Sequence, residues 1–509
     1  MRQNSLAFRL IEILPGSVAW MLIILPIPFS YFWPSAVAIY VLAFDVFWLS
    51  RAFYFCYFMV STYRKMKRDR KRDWKEMIKN IPDDPRYKDP KEILHAVIFA
   101  TFKEEIETLE PSIRSVIKSD FNSNKMIIVL AGEERDQERF RCVSKYLSEK
   151  YSDKVFKFLI CEHPDGIVGE VKGKGAGAAW AGKKLVEFVE STKIPLEDIV
   201  MHIADADTCF DKIYFDAVTY MYCREPNRNR RTFQPIPLYS NNIWYVPAFS
   251  RVVAWGASFW QMVEASRPWR LVNFSTHAMS LKMLKEMNYW STSVVNEDSR
   301  QYWRAYFSFS GDHQAIPIYV PVYMDAVLSD DIFKTIQNQY LQKRRWAYGV
   351  EHLPYIILQA IKHKEIPFGD KFIKIVRLIE GAISWSTASF YLAIFGWLPL
   401  IMSAEFRNTV LAVNFPSVAR TLLSIAWVTL AISIYLSLKL LPPRPRGMRK
   451  EKYLSMILEW ALSPVVGIVF GSIPALEAQT RLMLGQYLTF WVTEKKAPAN
   501  TFKNAKSPI

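Results

Sequence analysis

The chain has few of the features that mark several common classes of protein. It contains only five cysteines among 509 residues, and none of them has Cys-x-x-Cys spacing. They therefore indicate neither a metal site nor a disulfide framework. The Gly- and Lys-rich segment 172–177 lacks the Walker spacing, which excludes a P-loop. A cleaved signal peptide is not expected, because two apolar stretches follow each other before the first basic block.

Hydrophobic and basic residues are abundant instead. The chain is 51% hydrophobic but also 22% charged, which is typical of a soluble domain joined to membrane spans. The net charge of +16 could indicate a nucleic-acid partner, but the basic clusters at 64–75 and 444–452 each follow an apolar stretch directly. Basic residues in that position mark the cytoplasmic side of a bilayer. We therefore expect a lipid bilayer as partner and no nucleic acid.

The apolar stretches predict the topology. Residues 14–33 and 35–60 are each long enough to cross a bilayer, and further apolar segments lie at 380–402, 420–441 and 453–475. Pro464, Gly467, Gly471 and Pro474 interrupt the last of these segments. We expect it to follow a re-entrant or interfacial path, with a full crossing as the alternative. The prediction is a multi-pass protein of the plasma (inner) membrane with both termini in the cytosol.

Between these apolar regions the pattern alternates between strand and helix. Short apolar strands are predicted at 95–100, 125–130, 155–161 and 199–204, with helices at 109–119, 138–150 and 174–191 between them. This alternation predicts a parallel, Rossmann-like α/β sheet covered on both faces, with ligands bound beyond the carboxyl ends of the strands. The predicted division is 1–75 (membrane hairpin and linker), 76–335 (cytosolic α/β domain), 336–380 (amphipathic interfacial helices) and 381–509 (membrane or re-entrant helices).

Asp205-Ala206-Asp207 directly follows a predicted buried strand. The two carboxylates lie on the same side of an extended chain. Hard oxygen ligands of this kind hold Mg²⁺ or Mn²⁺ while substrate phosphates complete the coordination shell. An acidic surface turn is the alternative interpretation. The position at a strand end favours the metal site.

Three further motifs have both a chemical and a plain structural interpretation. The backbone of 172–177 together with Lys174 suits a diphosphate, or forms a flexible loop. Asp298 can act as a general base, or Glu297 and Asp298 simply begin a helix. Arg345 can neutralise a leaving group and Trp346 can stack on a sugar, or residues 340–348 form an amphipathic helix on the membrane surface.

Taken in order, these motifs resemble those of the family-2 membrane glycosyltransferases, which include the cellulose, chitin and hyaluronan synthases. Asp205-Ala206-Asp207 is similar to their D-x-D, Glu297-Asp298 to T-E-D, and Gln342-x-x-Arg345-Trp346 to Q-x-x-R-W. Gln234-Pro235 is similar to a loop that follows the metal motif, and 274–278 occupies the place of the acceptor-contacting segment. Residues 490–495 match the F-x-V-T-x-K gating loop. The resemblance covers residues 93–496.

The resemblance implies a GT-A-type (Rossmann-like) cytosolic domain inserted between transmembrane and interfacial helices. It implies Asp298 as catalytic base beside Glu297, and Asp205 and Asp207 as ligands of Mg²⁺ or Mn²⁺. The residues it implies for the nucleotide are Thr101, Glu104, Glu133, Lys174, Asp205, Arg345 and Thr493. Those it implies for the acceptor are Gln234, Thr276, His277, Gln342 and Trp346.

Some positions depart from the family pattern. Gly132-Glu133-Glu134 replaces the usual Asp-Asp-Gly, Gly177 replaces an Asn, and Asn296 replaces the Thr of T-E-D. Thr276-His277 replaces a Gly-Ser in the acceptor segment. The polymer specificity of the synthases is therefore not carried over to this chain.

The resulting hypothesis is an inverting, metal-dependent hexosyltransferase. It would move a sugar from a nucleotide sugar, UDP-linked by expectation, to a growing polysaccharide, processively and with membrane passage. One alternative is a non-processive enzyme that acts on a lipid-linked acceptor. The least favoured is a non-enzymatic transporter or glycan-binding membrane protein, which has no use for these motifs on a soluble domain.

Overall fold

The computed structural model describes residues 6–491. Its strands are β1 Leu94–Ala100, β2 Met126–Glu133, β3 Lys157–His163, β4 Ile199–Asp205, β5 Cys209–Phe210, β6 Arg231–Tyr239, β7 His277–Ser280 and β8 Gln314–Met324. The first helices are α1 Leu6–Ile24, α2 Pro26–Phe32, α3 Pro34–Asp69, α4 Trp74–Lys79, α5 Ile106–Ile117, α6 Gln137–Tyr151, α7 Lys174–Ser191, α8 Tyr214–Arg224, α9 Ala248–Ala265 and α10 Leu281–Glu286. The remaining helices are α11 Glu297–Ser308, α12 Ile332–Ala347, α13 Leu353–Lys362, α14 Phe368–Ala393, α15 Leu398–Met402, α16 Ala404–Arg407, α17 Val410–Lys439, α18 Lys452–Leu458, α19 Ser463–Gly467 and α20 Ile473–Met483.

These elements belong to two compact units. We call residues 6–60, 247–253 and 336–488 the helical unit, and residues 61–246, 254–335 and 489–491 the sheet unit. The chain passes between them within α3, just before α9, within α9, within α12 and after α20. Each unit is described by itself.

The sheet unit contains one eight-stranded sheet of order β3-β2-β1-β4-β7-β6-β8-β5. β1 pairs in parallel with β2 and β4, and β2 pairs in parallel with β3. These are the four strands that the sequence pattern predicts, and their parallel pairing is confirmed. The sheet as a whole is mixed, because β7 runs antiparallel to both β4 and β6.

The second half of the sheet corrects one expectation. Gln234-Pro235 lies inside β6, which pairs with β7 and β8, and not in a loop. Pro235 interrupts the alternating pattern from which strands are predicted, and the register of β6 on β8 shifts between Pro235 and Pro237. A proline lacks the N–H that a regular ladder requires, so the strand contains an irregularity at this point.

Both faces of the parallel half are covered, as the alternation of strand and helix predicts. Val97 and Phe99 of β1 pack in one core with residues of α5, α6 and α8. Ala96 and Ile98 point to the other face, into a core with residues of α7 and α10. Successive side chains of a strand alternate between faces, so an uninterrupted apolar run such as β1 fits a sheet buried on both sides.

Two histidines lie hydrogen-bonded to each other inside this apolar core. His95 of β1 and His202 of β4 are fully buried, with His95 Nδ1 2.8 Å from His202 Nε2. His95 Nε2 is 2.8 Å from Thr219 Oγ1, and that hydroxyl donates to the carbonyl of Phe215. His95 therefore donates through Nε2 and accepts through Nδ1 from His202. His202 Nδ1 then accepts from the hydroxyl of Tyr214, 3.3 Å away. Both rings are neutral in this arrangement.

Replacing His95 by Asn should make the stability of the protein less sensitive to acid. Burial lowers the pKa of His95 to about 3 and that of His202 well below its ordinary value. The contribution of the two neutral rings to the free energy of unfolding is complete above about pH 6.5. It is lost as the pH falls toward the folded-state pKa, by about 1.4 kcal/mol per pH unit for each histidine. The measurement is the melting temperature of the full chain in detergent between pH 8 and pH 5. His363→Asn, at a half-buried histidine of the helical unit, is the control, and identical pH profiles for wild type and His95→Asn would contradict the assignment.

The helical unit contains the candidate membrane spans. Among residues 6–491, four helical stretches are long and apolar enough to cross a membrane: Leu6–Phe32, Pro34–Asp69, Val410–Lys439 and Lys452–Met483. The pair Phe368–Ala393 and Phe395–Met402 meets the same criteria as a fifth stretch, bent by 48°. Inside the unit, Arg51 of α3 is ion-paired with Glu380 of α14, so this cation within a candidate span faces protein.

The segment at 453–475, which prolines and glycines interrupt in the sequence, lies in one continuous helical run, and whether it crosses the membrane or follows a re-entrant path stays a prediction. Residues 452–483 form a helical run in which α-helical turns alternate with a 3₁₀ stretch at 459–462 and a π stretch at 468–472. Pro464 and Pro474 each stand within the first two positions of a helical segment, where a missing N–H costs little. The prolines are therefore accommodated by changes in helix type, and the sharp bend lies between α14 and α15.

Candidate functional site

The parallel strands end at a common edge of the sheet, where the predicted motifs come together. In the register of the sheet, Ala100 of β1 stands beside Ala131 of β2 on one side and Asp205 of β4 on the other. Thr101 and Glu133 follow within two residues of this line. The carboxyl edge of the sheet unit therefore presents three of the predicted segments side by side.

The turn after β1 is built around Glu104. Its Oε2 accepts hydrogen bonds from the Thr101 hydroxyl at 2.9 Å and from the Phe102 backbone N–H at 2.5 Å. Lys103 adopts a left-handed conformation with φ of 68°, and its N–H donates to Asp136 at 2.8 Å. Burial raises the pKa of Glu104 to about 7. Thr101 and Glu104 thus fix the shape of this turn at the strand end.

Glu133 lies at the end of β2 with two neighbours that the sequence analysis did not select. Arg135 Nε donates to Glu133 at 2.8 Å, and its guanidinium lies 4.3 Å from the centre of the Phe102 ring. Arg135 and Glu133 also line a pocket with His163, Asp165 and Lys172. No motif marks Phe102 or Arg135, because their pairing joins two loops that are distant in the sequence. This group offers a flat aromatic and guanidinium surface beside a carboxylate.

Ser275 joins the two carboxylate motifs at the centre of the site. Its hydroxyl donates to Asp205 Oδ2 at 2.7 Å, and its backbone N–H donates to Asp298 Oδ2 at 2.7 Å. The other oxygen of Asp298 accepts the N–H of Ser299 at 2.7 Å. Asp298 and Asp205 are 93 residues apart in sequence, and one serine holds both. Ser275 adopts positive φ, which turns its backbone toward α11.

Lys174, the first residue of α7, completes this cluster. Its ammonium is ion-paired with Asp205 and lies 4.0 Å from Glu297 Oε1. Burial acts to lower the pKa of Lys174, but the charges of Asp205 and Glu297 hold it above its ordinary value. The close approach of α7 and α11 depends on Gly175, because a Cβ there would lie 3.0 Å from Glu297 Cβ. Lys174 is therefore a charged lysine at a helix N-terminus, facing the carboxylate cluster.

Asp205 and Asp207 are the predicted metal-binding pair. Asp207 is buried, and its Oδ2 accepts the backbone N–H of Asp325 at 2.8 Å. Within residues 6–491, no group of three or more His, Cys, Asp and Glu side chains is placed to hold a metal ion. Two carboxylates fit a cation such as Mg²⁺ that takes the rest of its oxygens from substrate phosphates and water.

Three of the five residues expected at the acceptor, Gln234, Thr276 and His277, are buried in the sheet unit. Gln234 is 1% exposed. Its Oε1 accepts the backbone N–H of Phe274, and its Nε2 donates to the backbone carbonyls of Phe274 and Thr276. The side chains of Thr276 and His277 are also buried, and burial lowers the pKa of His277 to about 3. Gln234 therefore shapes the backbone that presents Ser275. Acceptor contact by these three residues stays a prediction, and Ser275, which is half-buried, is more accessible than Thr276 and His277.

The remaining predicted residues do not lie among the described residues of the sheet unit. Gln342, Arg345 and Trp346 belong to the part of α12 in the helical unit, where Gln342 accepts from Gln339 at 3.2 Å. Thr493 lies outside the described residues. Phe490, the first residue of the predicted gating motif, packs in the sheet unit on Gly173, where a Cβ would lie 2.5 Å from its ring.

Comparisons with known proteins give distant likenesses only. No family model matches the chain, and no curated protein matches it. Among solved structures, the chain is similar to the mannosyltransferase PcManGT from Pyrobaculum calidifontis in complex with GDP-Man and Mn²⁺, with 14% identity over 84% of this chain and 99% of that one and a TM-score of 0.40. It is also similar to S. aureus TarS 1-349 in complex with UDP-GlcNAc, with 12% identity over 78% and 93% of the two chains and a TM-score of 0.36. Both TM-scores are below 0.5, so nothing about the function of this chain is inferred from these structures.

Proposed function

We propose that the chain is a membrane glycosyltransferase that moves a sugar from a nucleotide sugar to an acceptor hydroxyl. The observation that carries this proposal is the bridge from Asp205 through Ser275 to Asp298, with Lys174 ion-paired to Asp205. A cation for phosphates, a carboxylate pair for a metal ion and a third carboxylate as base are the parts that transfer from a diphosphate leaving group requires. They meet at the carboxyl edge of a largely parallel sheet, where ligands bind in such folds.

The roles follow from the contacts. Lys174 would neutralise the diphosphate, and Glu104, Glu133 and Arg135 would surround the nucleoside. Asp298 would accept the proton of the acceptor hydroxyl, held in place by the N–H groups of Ser275 and Ser299. Glu297 lies against Lys174 and would keep it charged. The acceptor oxygen would attack the anomeric carbon from the side opposite the departing diphosphate, which gives inversion at that carbon.

Asp207 and Asp205 would hold a Mg²⁺ or Mn²⁺ ion together with the substrate diphosphate. When bound, such an ion neutralises the charge that develops on the leaving group. A UDP-linked donor, a hexose as the transferred sugar and membership of glycosyltransferase family 2 rest on the motif resemblance described above. So do the roles of Gln342, Arg345, Trp346 and Thr493. The cytosolic placement of the catalytic unit and both termini rests on the basic clusters at 64–75 and 444–452.

The acceptor is proposed to be a growing polysaccharide, extended processively with passage through the membrane helices. The alternative acceptor is a lipid-linked molecule. It is favoured by Thr276 and His277, which depart from the synthases and lie buried. Transport or glycan binding without catalysis remains the least favoured function, since it leaves the Asp205–Ser275–Asp298 cluster without a role.

A donor screen tests the proposal. The full chain in nanodiscs would be incubated with UDP- and GDP-linked sugars, with and without Mg²⁺ or Mn²⁺, and nucleoside diphosphate release would be measured. We expect metal-dependent release with at least one donor, and sizing of the product would separate a polymer from a singly glycosylated lipid. Absence of release with every donor would reject the enzyme.

Lys174→Met should weaken nucleotide-sugar binding by about 10- to 100-fold, because a charge-assisted contact to a phosphate contributes about 1.5–3 kcal/mol. Lys184→Met on the exposed side of the same helix, where the lysine pairs with Glu187, is the matched control. Calorimetric titration of the full chain provides the measurement. Equal affinities of wild type and Lys174→Met would show that Lys174 serves only to pair with Asp205.

A further inference from the structure

Lys343 of α12 has an unusual environment in the helical unit. Its ammonium lies 4.9 Å from the ring centre of Trp346 and 5.6 Å from that of Trp385 on α14. Among the described residues, no carboxylate lies within ion-pair distance of it. The neighbouring Arg344, in contrast, is paired with Glu477 at 2.6 Å. Lys343 is thus a half-buried cation whose contacts are two indole faces.

In this environment the ammonium loses its hydration, and its contacts with the protein only partly compensate for that loss. Aromatic faces attract an ammonium but do not replace an anionic partner. Burial lowers the pKa of Lys343 to about 8, which reflects this loss. Glu380, which precedes Trp385 on α14 by five residues, is paired with Arg51 and accepts from Ser384 at 2.9 Å. An anion brought by a ligand would supply the missing partner.

The kind of anion follows from the surroundings. The helical unit contains the candidate membrane spans, and α14 is part of one of them. Tryptophan rings beside a lysine suit the boundary between acyl chains and headgroups, where one end of a ligand is apolar and the other is charged. A phosphate on a lipid combines both properties.

We propose that Lys343, Trp346 and Trp385 form a binding site for a lipid-borne phosphate. The phosphate pairs with the ammonium, and the adjoining carbon chain or sugar packs on the indole rings. The use of this site in catalysis rests on the alternative acceptor of the proposed function, a lipid-linked molecule, which would then be the natural ligand. A bilayer phospholipid has the same chemistry, and the two sources are separated by experiment.

The test measures binding of a fluorescent polyprenyl phosphate to the full chain in phosphatidylcholine nanodiscs, without nucleotide sugar. Lys343→Met should lower the affinity by about tenfold or more, whereas Lys343→Arg should retain most of it. Lys334→Met, at an exposed lysine of the same helix, is the matched control and should bind like wild type. Competition by phosphatidylglycerol as strong as that by polyprenyl phosphate would identify a bilayer headgroup site. Competition by polyprenyl phosphate alone would identify an acceptor site.

Equal binding by wild type and Lys343→Met would overturn the proposal. So would equal affinity of wild type for the neutral polyprenol and its phosphate, a comparison that needs no variant and holds even if Lys343→Met fails to fold. Because no sugar donor is present, the result is independent of the proposed function. A chain that binds the lipid phosphate but releases no diphosphate would reject the enzyme and keep this site.

Discussion

Asp298→Asn should reduce sugar transfer by about 10³-fold while nucleotide-sugar affinity changes by about twofold or less. The carboxylate accepts hydrogen bonds from the backbone N–H groups of Ser275 and Ser299. These bonds fix its orientation and leave lone pairs that can accept a proton. An asparagine has nearly the same shape but cannot act as a base. Binding should persist, because the contacts proposed for the diphosphate and nucleoside lie on Lys174 and the strand ends.

The measurement pairs single-turnover transfer with equilibrium titration of the donor, on the full chain. Glu286→Gln, the same change of acid to amide at an exposed position on α10, serves as the matched control and should leave both unchanged. Asp298→Glu adds a test of geometry, since it keeps the acid but moves it by one methylene. Transfer by Asp298→Asn at the wild-type rate would remove Asp298 from the role of base.

Gly132→Asp should destabilise the sheet unit by about 3 kcal/mol or more, although it brings the sequence closer to the synthase pattern. A Cβ at position 132 would lie 2.3–2.4 Å from atoms of the Phe140 ring of α6. Overpacking of this kind costs about 1–3 kcal/mol, and the buried carboxylate adds a desolvation cost. The departure from Asp-Asp-Gly is therefore a consequence of how α6 packs on the end of β2.

Melting of the full chain in detergent checks this prediction, with a double-mutant cycle as control. Gly132→Ala should lower the melting temperature, and Phe140→Leu, which opens space at the same point, should make the alanine less costly. The two changes should thus be less than additive, since they share one contact. A Gly132→Asp protein as stable as wild type would contradict the packing argument.

Part of the fold is evident from local pattern. The uninterrupted apolar runs of β1, β2 and β4 and the helical period of α6 and α7 each lie within a single element, so their prediction needs no knowledge of the rest of the chain. The positions of Asp205 and Glu133 can also be predicted locally, because each lies at the end of a predicted strand. In the structure both lie at the shared carboxyl edge of the sheet. Parallel strands joined by helices bring their carboxyl ends to one side, and this makes the site edge predictable.

Other features depend on contacts between distant segments. β6 contains Pro235 and Pro237, and only pairing with β7 and β8 makes it a strand. Arg135 and Phe102 meet because two loops converge, and Ser275 reaches Asp205 and Asp298 because positive φ turns it between β4 and α11. No local period marks any of these residues.

The sequence by itself determined the order of the motifs, the parallel half of the sheet and the apolar stretches that meet the length of a bilayer. Only the tertiary structure decided that Ser275 joins the two carboxylate motifs, that Gln234 lies in a strand and shapes its neighbour, and that Lys343 faces two tryptophans. The physical reason is the distance in sequence between the residues that interact. Hydrophobic period and strand-end position are properties of adjacent residues, whereas hydrogen bonds and ring contacts between residues 23 to 70 positions apart depend on how the whole unit packs.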